Sequence, residues 1–86
     1  MAVEAALAEG VDPSFALAVC WRESRLTDPP DGANVGPMQV NLQTWPEVAR
    51  ANTVERTRFG VHLLAVDLER ARGDKAKAER IYRYGH

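Results

Sequence analysis

At 86 residues with 45% hydrophobic content, the chain has room for one domain and one core. A domain this small buries only about 60% of its unfolded surface, so modest stability is expected. Eleven Lys and Arg balance twelve Asp and Glu at a net charge of −1 with no basic block, which argues against a nucleic acid or an anionic membrane as partner.

In chain order, Met1 to Glu9 is alanine-rich with Val3 and Leu7 at i, i+4, and reads as a short first helix packed on the next one. Met1 to Ala8 has no basic n-region, and nothing reaches the roughly 20 apolar residues of a membrane span, so neither signal peptide nor transmembrane segment is expected. Gly10 suits a helix stop. Asp12 and Pro13 then make a helix start, an N-cap side chain followed by proline at the first helical position.

Phe15 to Trp21 are all apolar, and Ala16, Val19, Cys20 and Glu23 share one helical face. A helix apolar nearly all round should be central in the fold. Cys20, the only cysteine, cannot form an internal disulfide and reads as a buried inert thiol, which leaves the redox compartment open. Glu23 continues the buried stripe, and desolvation would raise its pKa, as a general acid requires. The alternative is a solvated helix-end residue, since Arg22 and Arg25 flank it.

Asp28 to Asn34 is a run of helix breakers and must be loop, and Gly36-Pro37-Met38-Gln39-Val40 follows. Thr44 and Glu47 have capping-box spacing, so a short helix should run to about Arg50. Trp45 either packs or lines a sugar groove. Thr53 is a plausible cap for the longest helix, about Val54 to Arg72, in which Gly60 implies close approach of a neighbouring backbone. Gly73 ends that helix, Asp74 can cap the last one, and Ala78, Ile81 and Tyr82 give it an apolar face. The expectation is an all-α domain of about five helices around a central apolar helix, with little or no β-structure.

The combination of Glu23-Ser24, a polar loop, and Gly36-x-Met38-Gln39 with a branched apolar residue after it resembles the lysozyme-like lytic transglycosylases of the soluble type, and more distantly goose-type lysozymes. Gly10 to Val19 is similar to the family's approach to its catalytic helix, and Tyr82-Arg83-Tyr84-Gly85 to its Y-N-x-G motif, with Arg83 where asparagine is usual. Pro37 stands where leucine is usual, and family domains commonly continue beyond this length. The family often has a small β-hairpin between its first two motifs; the proline-rich interval here predicts loop instead.

The resemblance implies a peptidoglycan-cleaving enzyme that breaks the β-1,4 bond between N-acetylmuramic acid and N-acetylglucosamine and leaves a 1,6-anhydro sugar. Glu23 would be its single acid and base. Ser24 would sit near the cleaved sugar, Gly36 would permit a tight backbone, and Met38 and Gln39 would line the groove. Tyr82 would bring its hydroxyl near the Glu23 carboxylate. Read without the resemblance, Ser24 is as well explained as solvent-facing, Met38 as core and Tyr82 as an interfacial core residue.

Two other functions remain open on the sequence. A lysozyme-like hydrolase would need a second carboxylate, for which Asp28 and Asp31 are nearest, although turn formation explains both. A non-catalytic glycan-binding or assembly module is the other. His62 and His86 lie far apart with no Cys or carboxylate at ligand spacing, and no phosphate loop or Ser/His/Asp arrangement occurs, so no metal or cofactor is expected. An enzyme of this kind must reach the wall: it would work in the periplasm or outside the cell, or arrive with a phage particle, alone or within a larger parent protein or assembly.

Overall fold

In a computed structural model, residues 1–85 are described. Among the described residues, four α-helices, one 3-10 helix and a two-stranded hairpin make up the fold. The all-α class therefore holds in outline, while the count of five α-helices does not.

Helix α1 (Ala2–Glu9) buries Ala2, Ala5 and Ala6 and ends at Gly10 in the left-handed region, φ 70°. Val3 and Leu7, expected on the packed face, point outward instead, Leu7 with 66% of its surface exposed. The alanine stripe explains this, because methyl side chains let α1 approach its neighbours closely.

Helix α2 (Pro13–Ser24) starts as its sequence dictates, with the Asp12 carboxylate accepting from Ser14 N at 3.0 Å. It buries Phe15, Ala16, Val19 and Cys20 and stops at Arg25, φ 58°. Trp21 on its far side is 49% exposed, so α2 is two-faced and is not the centre of the fold. That place belongs to α3 (Thr53–Arg70), which packs on α1, on the last helix α4 (Lys75–Gly85), on the hairpin and on the 3-10 helix Pro46–Arg50.

A small hairpin supplies the little β-structure expected and takes in Asn34, the last residue of the expected loop. Strand β1 (Asn34–Val35) pairs antiparallel with β2 (Val40–Asn41), in the register Asn34 with Asn41 and Val35 with Val40. It closes over the Gly36–Gln39 turn rather than lying between the first two motifs. Both valines are buried, as the two-residue side-chain period of a strand requires once one face meets the core. Gly36 cannot be replaced cheaply: its φ is +76°, and an added Cβ would sit 2.9 Å from Arg56 Cβ.

Two caps differ from expectation. Asn52, not Thr53, caps α3 and forms a reciprocal capping box with Glu55. Thr44 makes no cap for the 3-10 helix; its N–H is bound by Asn41 Oδ1 at 3.2 Å, which draws it into the preceding turn. Helix α3 ends just short of Gly73, whose N–H returns to Leu68 O at 2.9 Å with φ at 84°. Asp74 then accepts from Lys77 N at 3.1 Å and starts α4, with Ala78 and Tyr82 buried.

The close approach expected at Gly60 is present, but from side chains rather than backbone. A Cβ there would lie 2.3 Å from Met38 Cβ and 3.0 Å from the Tyr82 hydroxyl. The gap left by Gly60 thus seats the hairpin turn and α4 on α3 together. Met38, fully buried, is the peg.

Candidate functional site

Beside that peg lies a polar pocket of about 160 Å³ at the junction of α2, the hairpin, α3 and α4. Glu23 enters it from the last turn of α2; Asn34, Gln39 and Asn41 line it from the hairpin; Tyr82 and Arg83 close it from α4, with Leu63 at its base.

Glu23 is half-buried, and loss of solvation pushes its carboxyl pKa above the ordinary 4.5. The Arg83 charge pulls the other way and Glu79 adds a smaller upward push, but burial prevails. Tyr82 is only 6% exposed and donates its hydroxyl to Met38 O at 2.7 Å. Burial, and then the Glu23 charge, hold its pKa well above 10, so the phenol stays protonated. It ties α4 to the hairpin turn and borders the Glu23 pocket at once.

Gln39 adopts the left-handed region, φ 52°, and its Nε2 donates to Gly36 O at 3.0 Å. A non-glycine residue held at positive φ on the wall of a polar pocket is a local strain of the kind found at functional sites. Asn34 adds a second sign: its Oδ1 is buried with no hydrogen-bond partner. Orphaned acceptors of this sort are uncommon, and this one borders the pocket.

The other sequence candidates are placed differently. Met38 is 0% exposed and belongs to the core, so only its carbonyl serves the site, by anchoring Tyr82. Ser24 turns its hydroxyl back to Cys20 O at 3.2 Å and is not among the pocket-lining residues. Gly36 contributes backbone only. Cys20 is buried, its thiol pKa raised chiefly by desolvation, with Sγ 3.5 Å from Pro37 O.

Neither loop aspartate reaches Glu23's pocket. Asp31 is held by Arg56 in a two-pronged pair at 2.8 and 3.0 Å, which lowers its pKa, and Asp28 accepts from the Thr53 hydroxyl. Trp45 packs edge-on against Phe59, centroids 5.4 Å apart, and borders a separate depression with Phe59 and Val66. Leu63 separates that depression from the Glu23 pocket.

Asn34 and Asn41 were missed in the sequence. The mirrored pattern Asn34-Val35 and Val40-Asn41 was the available signal, since a hairpin that buries both valines must turn both asparagines to the other face. His62 meets Glu9 at 2.7 Å on the surface, and His86 lies outside the described residues. No cluster of three or more metal-ligating side chains occurs among the described residues, and no helix there is long and apolar enough to cross a membrane. No protein-family model, curated protein or solved structure matches the chain.

Proposed function

We propose that the chain is a peptidoglycan lytic transglycosylase with Glu23 as its single acid and base. The observation that carries this reading is a desolvated carboxyl in a polar pocket that no second carboxylate lines among the described residues. The motif resemblance supplies the substrate class.

Cleavage of the glycosidic bond between N-acetylmuramic acid C1 and N-acetylglucosamine O4 requires a proton on the leaving O4, which protonated Glu23 donates. The muramic acid's own acetamido oxygen attacks C1 as the C1–O4 bond breaks, giving an oxazolinium ion. Glu23, now ionised, takes the proton from the sugar's 6-hydroxyl. O6 then attacks C1 and releases the acetamido oxygen, so the proton given to O4 is recovered and no water is consumed. Gln39 and Asn34 supply amide groups for the substrate's acetamido and hydroxyl groups, and Tyr82 supplies a neutral polar wall.

Hydrolysis is the weaker reading, because both candidate water-positioning aspartates are engaged elsewhere. The place of work under the proposal is the cell wall, reached within whatever protein or particle delivers the domain.

Mass spectrometry of soluble fragments from purified peptidoglycan, with the parent chain and Glu23→Gln, tests the reading. Anhydro-muropeptides from the parent, reduced about a thousandfold in the variant, are expected for loss of a general acid. Reducing-end fragments would mean hydrolysis. Absence of fragments from folded protein would leave a glycan-binding or assembly module.

A further inference from the structure

Arginines near α2 and the hairpin have visible partners. Arg22 pairs with Glu79, Arg56 with Asp31, and Arg25 stands over the Trp21 ring at 5.1 Å. Arg83, exposed at the rim, is like Arg25 in forming no salt bridge among the described residues and standing over a ring, that of Tyr84 at 5.9 Å, but of these four arginines it alone lines the Glu23 pocket. Its neighbour one turn back, Glu79, is already committed to Arg22.

The charge balance of the pocket follows. When Glu23 carries the proton that a general acid needs, the remaining lining groups are neutral amides, the protonated Tyr82, two apolar side chains and the Arg83 guanidinium. Among the described residues, the lining of the reactive form therefore carries one charge, the positive charge of Arg83. A guanidinium in that position is suited to a carboxylate, which it can grip through two parallel N–H donors.

We infer that Arg83 selects the substrate by receiving a carboxylate carried on the side arm of the muramic acid residue. This rests on the transglycosylase reading for the identity of the glycan. The carboxylate has two sources, the lactyl group of strands stripped of peptide and the stem peptide of intact strands. Oligomers of N-acetylglucosamine alone have neither. Bound there, the carboxylate also draws off the Arg83 field that otherwise favours ionisation of Glu23.

The test is calorimetric binding to the Glu23→Gln chain, which keeps the pocket and removes turnover. Soluble strands with and without stem peptides are compared with the same strands after conversion of their carboxylates to amides, and with N-acetylglucosamine oligomers. Free-carboxylate strands should bind about three- to tenfold more tightly than amidated ones at low salt, and the preference should shrink as salt screens it. Adding Arg83→Asn should abolish the preference; adding Arg80→Asn, on the same helix outside the pocket, should not.

Whichever strands show the preference identify the source of the carboxylate. Equal binding of free and amidated strands, or a preference that survives Arg83→Asn, overturns the inference. If the parent chain cleaves wall glycan while the preference is absent, only the inference falls. If binding depends on carboxylate and Arg83 but the parent chain releases no fragments, the enzymatic reading falls and Arg83's role stands. Binding of no strand at all overturns both.

Discussion

Two arginine–carboxylate neighbourhoods flank the hairpin, and they treat the same chemistry in opposite ways. On one side, Asp31 and Arg56 meet directly, and Arg56 also donates to Val48 O at 3.0 Å and Ala49 O at 2.9 Å. That arginine is 8% exposed, and its partner's pKa is lowered. On the other side, Arg83 is near enough to Glu23 to influence it without pairing, and the carboxyl pKa is raised. Direct pairing makes a clamp; separation leaves a carboxyl free to exchange its proton. Burial raises the one carboxyl and a directly bonded guanidinium lowers the other, so the two part by solvation as well as by the geometry of the arginine beside them.

The comparison breaks most readily at the level of turnover. Glu23→Gln should lose about a thousandfold in release of anhydro-muropeptides, whereas Asp31→Asn should keep turnover within a few-fold. A large loss in the aspartate variant, with its fold intact by circular dichroism, would put Asp31 in the chemistry and erase the distinction.

Stability should show the reverse ranking. Arg56→Met removes the side-chain bonds to the Val48 and Ala49 carbonyls, leaving Val48 O only the Ala51 N–H, and frees the loop carboxylate, and should lower the melting temperature by about 5–10 °C. Arg83→Met removes no ion pair among the described residues and should shift melting by no more than about 2 °C. Equal shifts in a thermal melt would mean that the two arginines do the same work.

The smallest effect is the pH dependence. Glu23 keeps its proton to higher pH in the folded chain than in the unfolded one, so its contribution is most favourable below the ordinary 4.5 and is lost as pH rises through its raised pKa. Asp31 contributes above the ordinary 3.8 and loses that contribution as pH falls through its lowered pKa. Melting temperature followed from pH 3 to 8 should therefore lose its neutral-side decline in Glu23→Gln and part of its acid-side decline in Asp31→Asn. Unchanged profiles in both variants would overturn the assigned shifts.

Much of the helical frame was legible because its signals are local. Asp12-Pro13, Gly10, Gly73 and Asp74 each act within a turn of chain, and all four do what their chemistry suggests. The cap of α3 slipped by one residue because Asn52 and Thr53 are both competent, and only the spacing from Asn52 to Glu55 decides between them. Thr44 and Glu47 had the right spacing but were outcompeted by the Asn41 side chain, a tertiary choice.

Within the pocket, Glu23, Gln39 and Tyr82 were legible as candidates, whereas Met38 and Ser24 face elsewhere. A methionine in a turn carries no sequence mark that distinguishes a groove wall from a core peg; the missing side chain of Gly60, twenty-two positions later, decides it. The Asp31–Arg56 clamp joins residues 25 positions apart and leaves no periodicity to read.

The hydrogen bond from Tyr82 to Met38 O makes the site a late event in the life of the chain. Every wall of the pocket except Tyr82 and Arg83 is encoded by residue 63, yet the enclosure closes only when α4 folds back and its tyrosine finds the hairpin carbonyl. During synthesis the acid group would be carried, open to water, on an unfinished surface. The burial that raises its proton affinity would be complete only once the last helix docks.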